Sequence, residues 1–80
     1  MITPLQVRLA RTGLGLSIRA LAEKAGVGTA SIERFEAGRG GMRTTTLARI
    51  EAVLTAGGIQ FVPESDTHGP GVLLPKTPKV

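Results

Sequence analysis

Apolar residues recur at three- and four-residue intervals from Leu5 to Leu54, in blocks divided by glycine. That period is the signature of amphipathic helices. Thr3 reads as the N-cap of a first helix and Pro4 as its first helical residue, where the missing N–H does no harm. Leu5 and Leu9 stack on one face of it, and Gly13 and Gly15 end it. Ser17 caps a second helix carrying Ile18, Leu21, Ala22 and Ala25, and Gly26 stops that one. After Val27 and Gly28, Thr29 is placed to cap a third helix with Ile32 and Phe35 inside and Gly38 just past its end. The run Arg39 to Arg43 is too glycine-rich for a helix and predicts a loop, followed by Thr44, Thr45 and Thr46 as further caps. Leu47, Ile50, Val53 and Leu54 form the stripe of a fourth helix, closed by Gly57 and Gly58.

Beyond Gly58 the period changes. Ile59 to Val62 and Val72 to Leu74 are β-rich runs bounded by glycine or proline, and the polar stretch 64–70 joins them into a predicted hairpin. Residues 76–80 show no period and are expected to fray. The chain therefore divides into a helical domain over 1–57, a hairpin over 58–75 and a flexible tail over 76–80.

A length of 80 residues allows one small core. With no cysteine and His68 as the only histidine, neither a disulfide nor a metal site is expected, and self-association is the remaining source of added stability. No cofactor is expected either. No apolar run approaches the ~18 residues of a membrane span, and the opening Met-Ile-Thr-Pro lacks the blocks of a secretory signal, so the expectation is a cytoplasmic protein with no membrane partner. Ten basic residues against six acidic ones leave a charge of +4, which favours a polyanion as partner. There is no nucleophile–histidine–acid set, and the carboxylates are scattered, so catalysis is not expected. Gly13 to Gly15 and Gly38 to Gly41 lack the strand and lysine context of nucleotide-binding loops.

The stretch Leu16 to Gly38 carries the function. Two short helices meet at a glycine turn, with small Ala22 where they approach, Gly26 at the bend, and Leu21, Val27 and Ile32 as apolar anchors. The second helix of such a pair fits the major groove of DNA, its N-terminal side chains against base edges.

Over residues 5–56 the sequence resembles the Cro and phage-repressor, or Xre-type, helix-turn-helix family. The likeness rests on Leu16-Ser17, Leu21-Ala22, Ala25-Gly26-Val27, Ser31-Ile32 and Arg34-Phe35-Glu36 ahead of Gly38. It implies a mainly α, four- to five-helix, lambda-repressor-like bundle, here with a C-terminal β-hairpin, and a sequence-specific DNA-binding regulator located with the nucleoid. By the same likeness Thr29, Ala30, Glu33 and Arg34 hold the base-facing positions, and Arg11 and Glu36 form a buried pair joining the first helix to the end of the third. Ser17, Gly28 and Ser31, with Arg39 and Arg43 around the glycine-rich loop, are the expected phosphate contacts. Two positions depart from the family. Ile18 stands where a phosphate-binding glutamine is usual, and Thr29 and Ala30 replace long amides, so base reading falls chiefly to Arg34. Arg8, Arg19, Lys24 and Arg49 read as ordinary surface charge.

An isolated hairpin is marginal in water and leaves open edges. Ile59, Phe61, Val62, Val72 and Leu74 need cover, either by folding back on the helices or, as the preferred reading, by meeting their counterparts across a two-fold axis, giving a homodimer that represses from a palindromic operator. Two alternatives stand beside this reading. One is an antitoxin-type DNA-binding protein whose tail holds a toxin; the other is a protein-interaction module that keeps the helix-turn-helix fold.

Overall fold

A computed structural model describes residues 1–79. The helices start and stop where local chemistry directs. α1 (Pro4–Gly13) opens on a reciprocal cap, in which Thr3 Oγ1 accepts from the Gln6 N–H at 3.2 Å and Gln6 Oε1 accepts from the Thr3 N–H at 2.9 Å. α2 (Ile18–Ala25) opens on Ser17, whose Oγ accepts from the Ala20 N–H at 3.0 Å, and ends at Gly26 in the left-handed region at φ +70°. A side chain there would be strained, which is why glycine sits at the bend. α3 (Thr29–Glu36) and α4 (Thr44–Ala56) follow, then β1 (Gln60–Val62) and β2 (Gly71–Leu73). The strands pair antiparallel, Gln60 with Leu73, Phe61 with Val72 and Val62 with Gly71. The architecture is thus four helices and one two-stranded sheet.

Several local expectations are corrected. Thr29 is the first residue of α3 rather than its cap, and Gly28 takes the N-cap position with no side-chain hydrogen bond. Thr44 to Thr46 lie inside the first turn of α4, whose N-cap is Arg43, again without a side-chain cap. No side chain therefore caps the first N–H groups of either helix. Leu5 and Leu9 share a face, but it is a solvent face, 54% and 42% exposed. The apolar residues of α1 spread over about half of its circumference, Leu5 and Leu9 at one edge and Val7, Ala10 and Leu14 at the other, so its own period does not choose which edge is buried. The chosen side carries Val7 and Ala10, continued by Leu14, because α3 and α4 pack there.

The core joins these residues to Leu16, Leu21, Ala22, Ile32, Phe35, Leu47, Ile50 and Leu54. The hairpin is not a separate body. Ile59 is buried, and Phe61 and Val72 pack against the helical core. Beyond the strands Pro75 sits against Gly58, and the Lys79 N–H donates to the Gly57 carbonyl at 3.2 Å. The last residue, Val80, lies outside the described residues. No helix among the described residues is long and apolar enough to cross a membrane.

Candidate nucleic-acid interface

α3 buries Ile32 and Phe35 and turns the opposite side outward, so Thr29, Ala30, Glu33 and Arg34 are all exposed on one continuous face. The apolar pair inside dictates which residues are left to read a ligand. α2 packs against both α3 and α4, and the left-handed Gly26 turns the chain between α2 and α3 within three residues.

Arg11 fixes the third helix to the first. Its Nε and Nη2 donate to the two Glu36 carboxylate oxygens at 2.8 and 2.9 Å, and Nη1 donates to the Leu16 carbonyl at 2.9 Å. The side chains are only 15% and 6% exposed. The hydrogen bonds to Glu36 hold the Arg11 pKa above its ordinary value, against the lowering effect of burial. A planar fork on a carboxylate fixes angle as well as distance, so this pair sets the tilt of α3 on α1.

Around α3 lie three shallow clefts. One, of about 340 Å³, is lined by Ser31, Arg34, Gly41, Met42, Arg43 and Thr46, where the uncapped start of α4 faces α3. Arg34 also borders a second cleft with Ala30, Glu33, Ala37 and Arg39. Its stem passes the glycine loop closely enough that a Cβ at Gly40 would lie 3.9 Å from its Cδ. The third cleft joins Arg8, Arg11, Ile18, Glu33, Glu36 and Ala37.

Charge on this side is set by which carboxylates are already engaged. Among the described residues the ion pairs are Arg11 with Glu36 and Arg19 with Glu23, the latter fully at the surface. Glu36 is thereby neutralised, and Arg34, Arg39 and Arg43 are left to outweigh Glu33.

The residues expected to meet phosphate are not all in one place. Ser31 and Arg43 share the first cleft, Arg39 borders the second, Gly28 offers the open first turn of α3, and Ser17 stands at the start of α2. Thr46 and Met42 also line the first cleft, and Arg8 lies beside Ile18; sequence reading had no signal for these, because their place depends on how α4 and α1 pack. Among the described residues no group of three histidine, cysteine or carboxylate side chains gathers to hold a metal.

No individual curated protein matches the chain. A family profile described as a helix-turn-helix domain matches residues 5–60, from the second residue of α1 to the first of β1. That span holds all four helices, the Gly26 turn and the exposed face of α3, and the chain therefore belongs to the helix-turn-helix domain family of the Xre/Cro-like type, a family of DNA-binding regulators.

Proposed function

We propose that this protein is a sequence-specific transcriptional regulator that works as a homodimeric repressor on a palindromic operator in the cytoplasm. The observation that carries the reading is the exposed face of α3 carrying Arg34, held in orientation by the Arg11–Glu36 fork and flanked by the arginines of the glycine loop.

With α3 in the major groove, Arg34 donates two hydrogen bonds to guanine O6 and N7, Thr29 and Ala30 touch a thymine methyl, and Glu33 accepts from a cytosine amine. Each good base contact contributes about 1–3 kcal/mol of discrimination. Ser17, Ser31, Arg39 and Arg43, with the open N–H groups that follow Gly28, engage phosphates on either side and fix the register. Ile18 and Ala30 add no polar contact, so sequence preference concentrates on Arg34. Occupying the operator is sufficient for repression, and the chemistry requires no cofactor and no catalytic step.

Selection of the purified protein on random duplex DNA tests this. The expected winner is a palindrome with half-sites about one helical turn apart, roughly 34 Å. Enrichment of no sequence would overturn the regulator reading, and a winner with a single half-site would overturn the dimer.

A further inference from the structure

We propose that Arg8 is a positioning residue for base reading: it serves as partner to the Glu33 carboxylate and so sets how strictly that side chain demands its base. The inference deepens the reading of α3 as the base-reading helix and rests on it. Glu33 stands on the ridge between two of the clefts around α3. On one side lie Arg34 and Arg39, and on the other Arg8 with Arg11, Ile18 and Glu36. Glu33 is exposed, and among the described residues it forms no ion pair.

The arginines around Glu33 are not equivalent. Arg11 is occupied, its donors held by Glu36 and the Leu16 carbonyl. Arg34 is the next residue on the helix, and adjacent helical residues do not face each other. Arg39 borders the far cleft, on the side of the glycine loop. Arg8 is exposed, forms no ion pair among the described residues, and lies on α1 one turn before Arg11, on the same side of the helix. In its cleft of about 280 Å³ no second carboxylate is open to it, because Glu36 is 6% exposed and both its oxygens already accept from Arg11. The rest of the lining, Ile18 and Ala37, offers no polar side-chain atom. Among the described residues the cleft therefore holds one free cation and one free carboxylate.

DNA makes that pair matter. With α3 in the major groove the Glu33 carboxylate loses water. A cytosine amine replaces the lost hydrogen bond, whereas guanine and thymine present acceptors in the same place. A carboxylate left without a donor in an interface is costly. Arg8, on a long stem with a fork of donors, turns to Glu33 and supplies what the wrong base lacks, so guanine or thymine is penalised less. Strictness at this base pair is thus set from α1, outside the helix that touches it. Removing Arg8 leaves cytosine as the sole donor and makes the reading stricter.

Affinities of the full chain for a panel of duplexes test the proposal. The panel takes the sequence that the wild type selects and replaces each base pair in turn; the position read by Glu33 is the one whose preference changes in Glu33→Gln. There Arg8→Ala should sharpen the preference for cytosine over guanine or thymine by about tenfold, and should do nothing to it in the Glu33→Gln background. Arg8→Lys, which keeps the charge, should stay near wild type, and Arg39→Ala should weaken every duplex alike. An unchanged preference in Arg8→Ala overturns the proposal, as does one that sharpens without Glu33 or in Arg39→Ala. So does a uniform loss of affinity in Arg8→Ala with a salt slope lower by about one, which would make Arg8 a phosphate contact only. A Glu33→Gln chain with no altered position also overturns it. The two readings fail separately. A wild type that binds all duplexes equally sinks the base-reading helix and this proposal with it, whereas a selective wild type whose preference ignores Arg8 sinks this proposal alone.

Discussion

Replacing Gln6 by leucine isolates the contact that ties the hairpin to the helices. Gln6 is the one buried polar side chain among the described residues, 3% exposed, and its amide is fully used: Oε1 accepts from Thr3, and Nε2 donates to Val62 and Gly71. Leucine keeps the approximate volume and removes all three bonds. The Thr3 N–H lies at a helix end where water can reach it, so its loss costs about 0.5–1 kcal/mol. The two carbonyls would face a methyl group, at about 1–3 kcal/mol each if they stay dry. Lifting the hairpin rehydrates them but exposes Phe61 and Val72, so the smaller of the two costs is the one realised. A net loss of roughly 2–4 kcal/mol follows, against a total stability of about 4–12 kcal/mol for a chain of this length. Urea unfolding measures the loss, and hydrogen exchange locates it: amides of β1 and β2 should exchange at least about tenfold faster while those of α2 and α4 change no more than the global stability requires. A loss below about 1 kcal/mol with the hairpin amides still protected would refute the reasoning. Gln6→Glu should be worse than leucine in neutral solution, because a carboxylate sets negative charge against two carbonyls. It should recover on acidification, since the protonated acid can donate once.

Other substitutions probe the remaining parts. Arg11→Met leaves Glu36 buried without its partner and should cost about 3–5 kcal/mol in denaturant unfolding, most of which Arg11→Met with Glu36→Leu should recover. The raised pKa of Arg11 means that its stabilisation is complete below the unfolded value and is lost only as pH rises through the folded one. Both lie in strongly alkaline solution, so a wild-type stability step between neutral and mildly alkaline pH that Arg11→Met abolishes would contradict this assignment. Gly58→Ala combines a φ of +106° with a Cβ 2.7 Å from the Pro75 ring, whereas Gly26→Ala meets only the strain of φ +70° in open space. Thermal melts should therefore rank Gly58→Ala as the more damaging, with Gly26→Ala costing about 1–2 kcal/mol. Arg34→Ala should flatten preference among DNA sequences, while Arg43→Ala should weaken all of them alike and reduce the salt slope by about one; measured binding curves at several salt concentrations separate the two.

The four helices, the Gly26 turn and the outward face of α3 were legible in the sequence because each depends on residues only a few positions apart. Ser17 reaches Ala20, Ile32 precedes Phe35 by one turn, and Gly26 needs only its own missing side chain. The Arg11–Glu36 pair came from family likeness rather than from spacing, since 25 residues separate its partners. Local chemistry was misread where a threonine near a helix start suggested a cap. Thr29 and Thr44 were one residue too late, and Gly28 and Arg43 stand at the caps instead.

What remained hidden was decided by packing across the whole chain. The apolar arc of α1 is wider than one buried face, and only the packing of α3 and α4 on its Val7 and Ala10 edge left Leu5 and Leu9 in solvent. Gln6 looked like an ordinary helix residue, yet it binds carbonyls 56 and 65 positions away. Sequence left open whether the hairpin folds back on the helices or needs a second chain; its inner face is covered by its own helices, and Leu73 and Leu74 stay exposed. Sequence alone determined the elements and the apolar side of α3, because periodicity acts within a few residues, while the roles of the residues α3 presents came from family likeness. Tertiary structure decided which apolar surface is core and which is free, because that depends on groups distant in the chain competing for the same contacts.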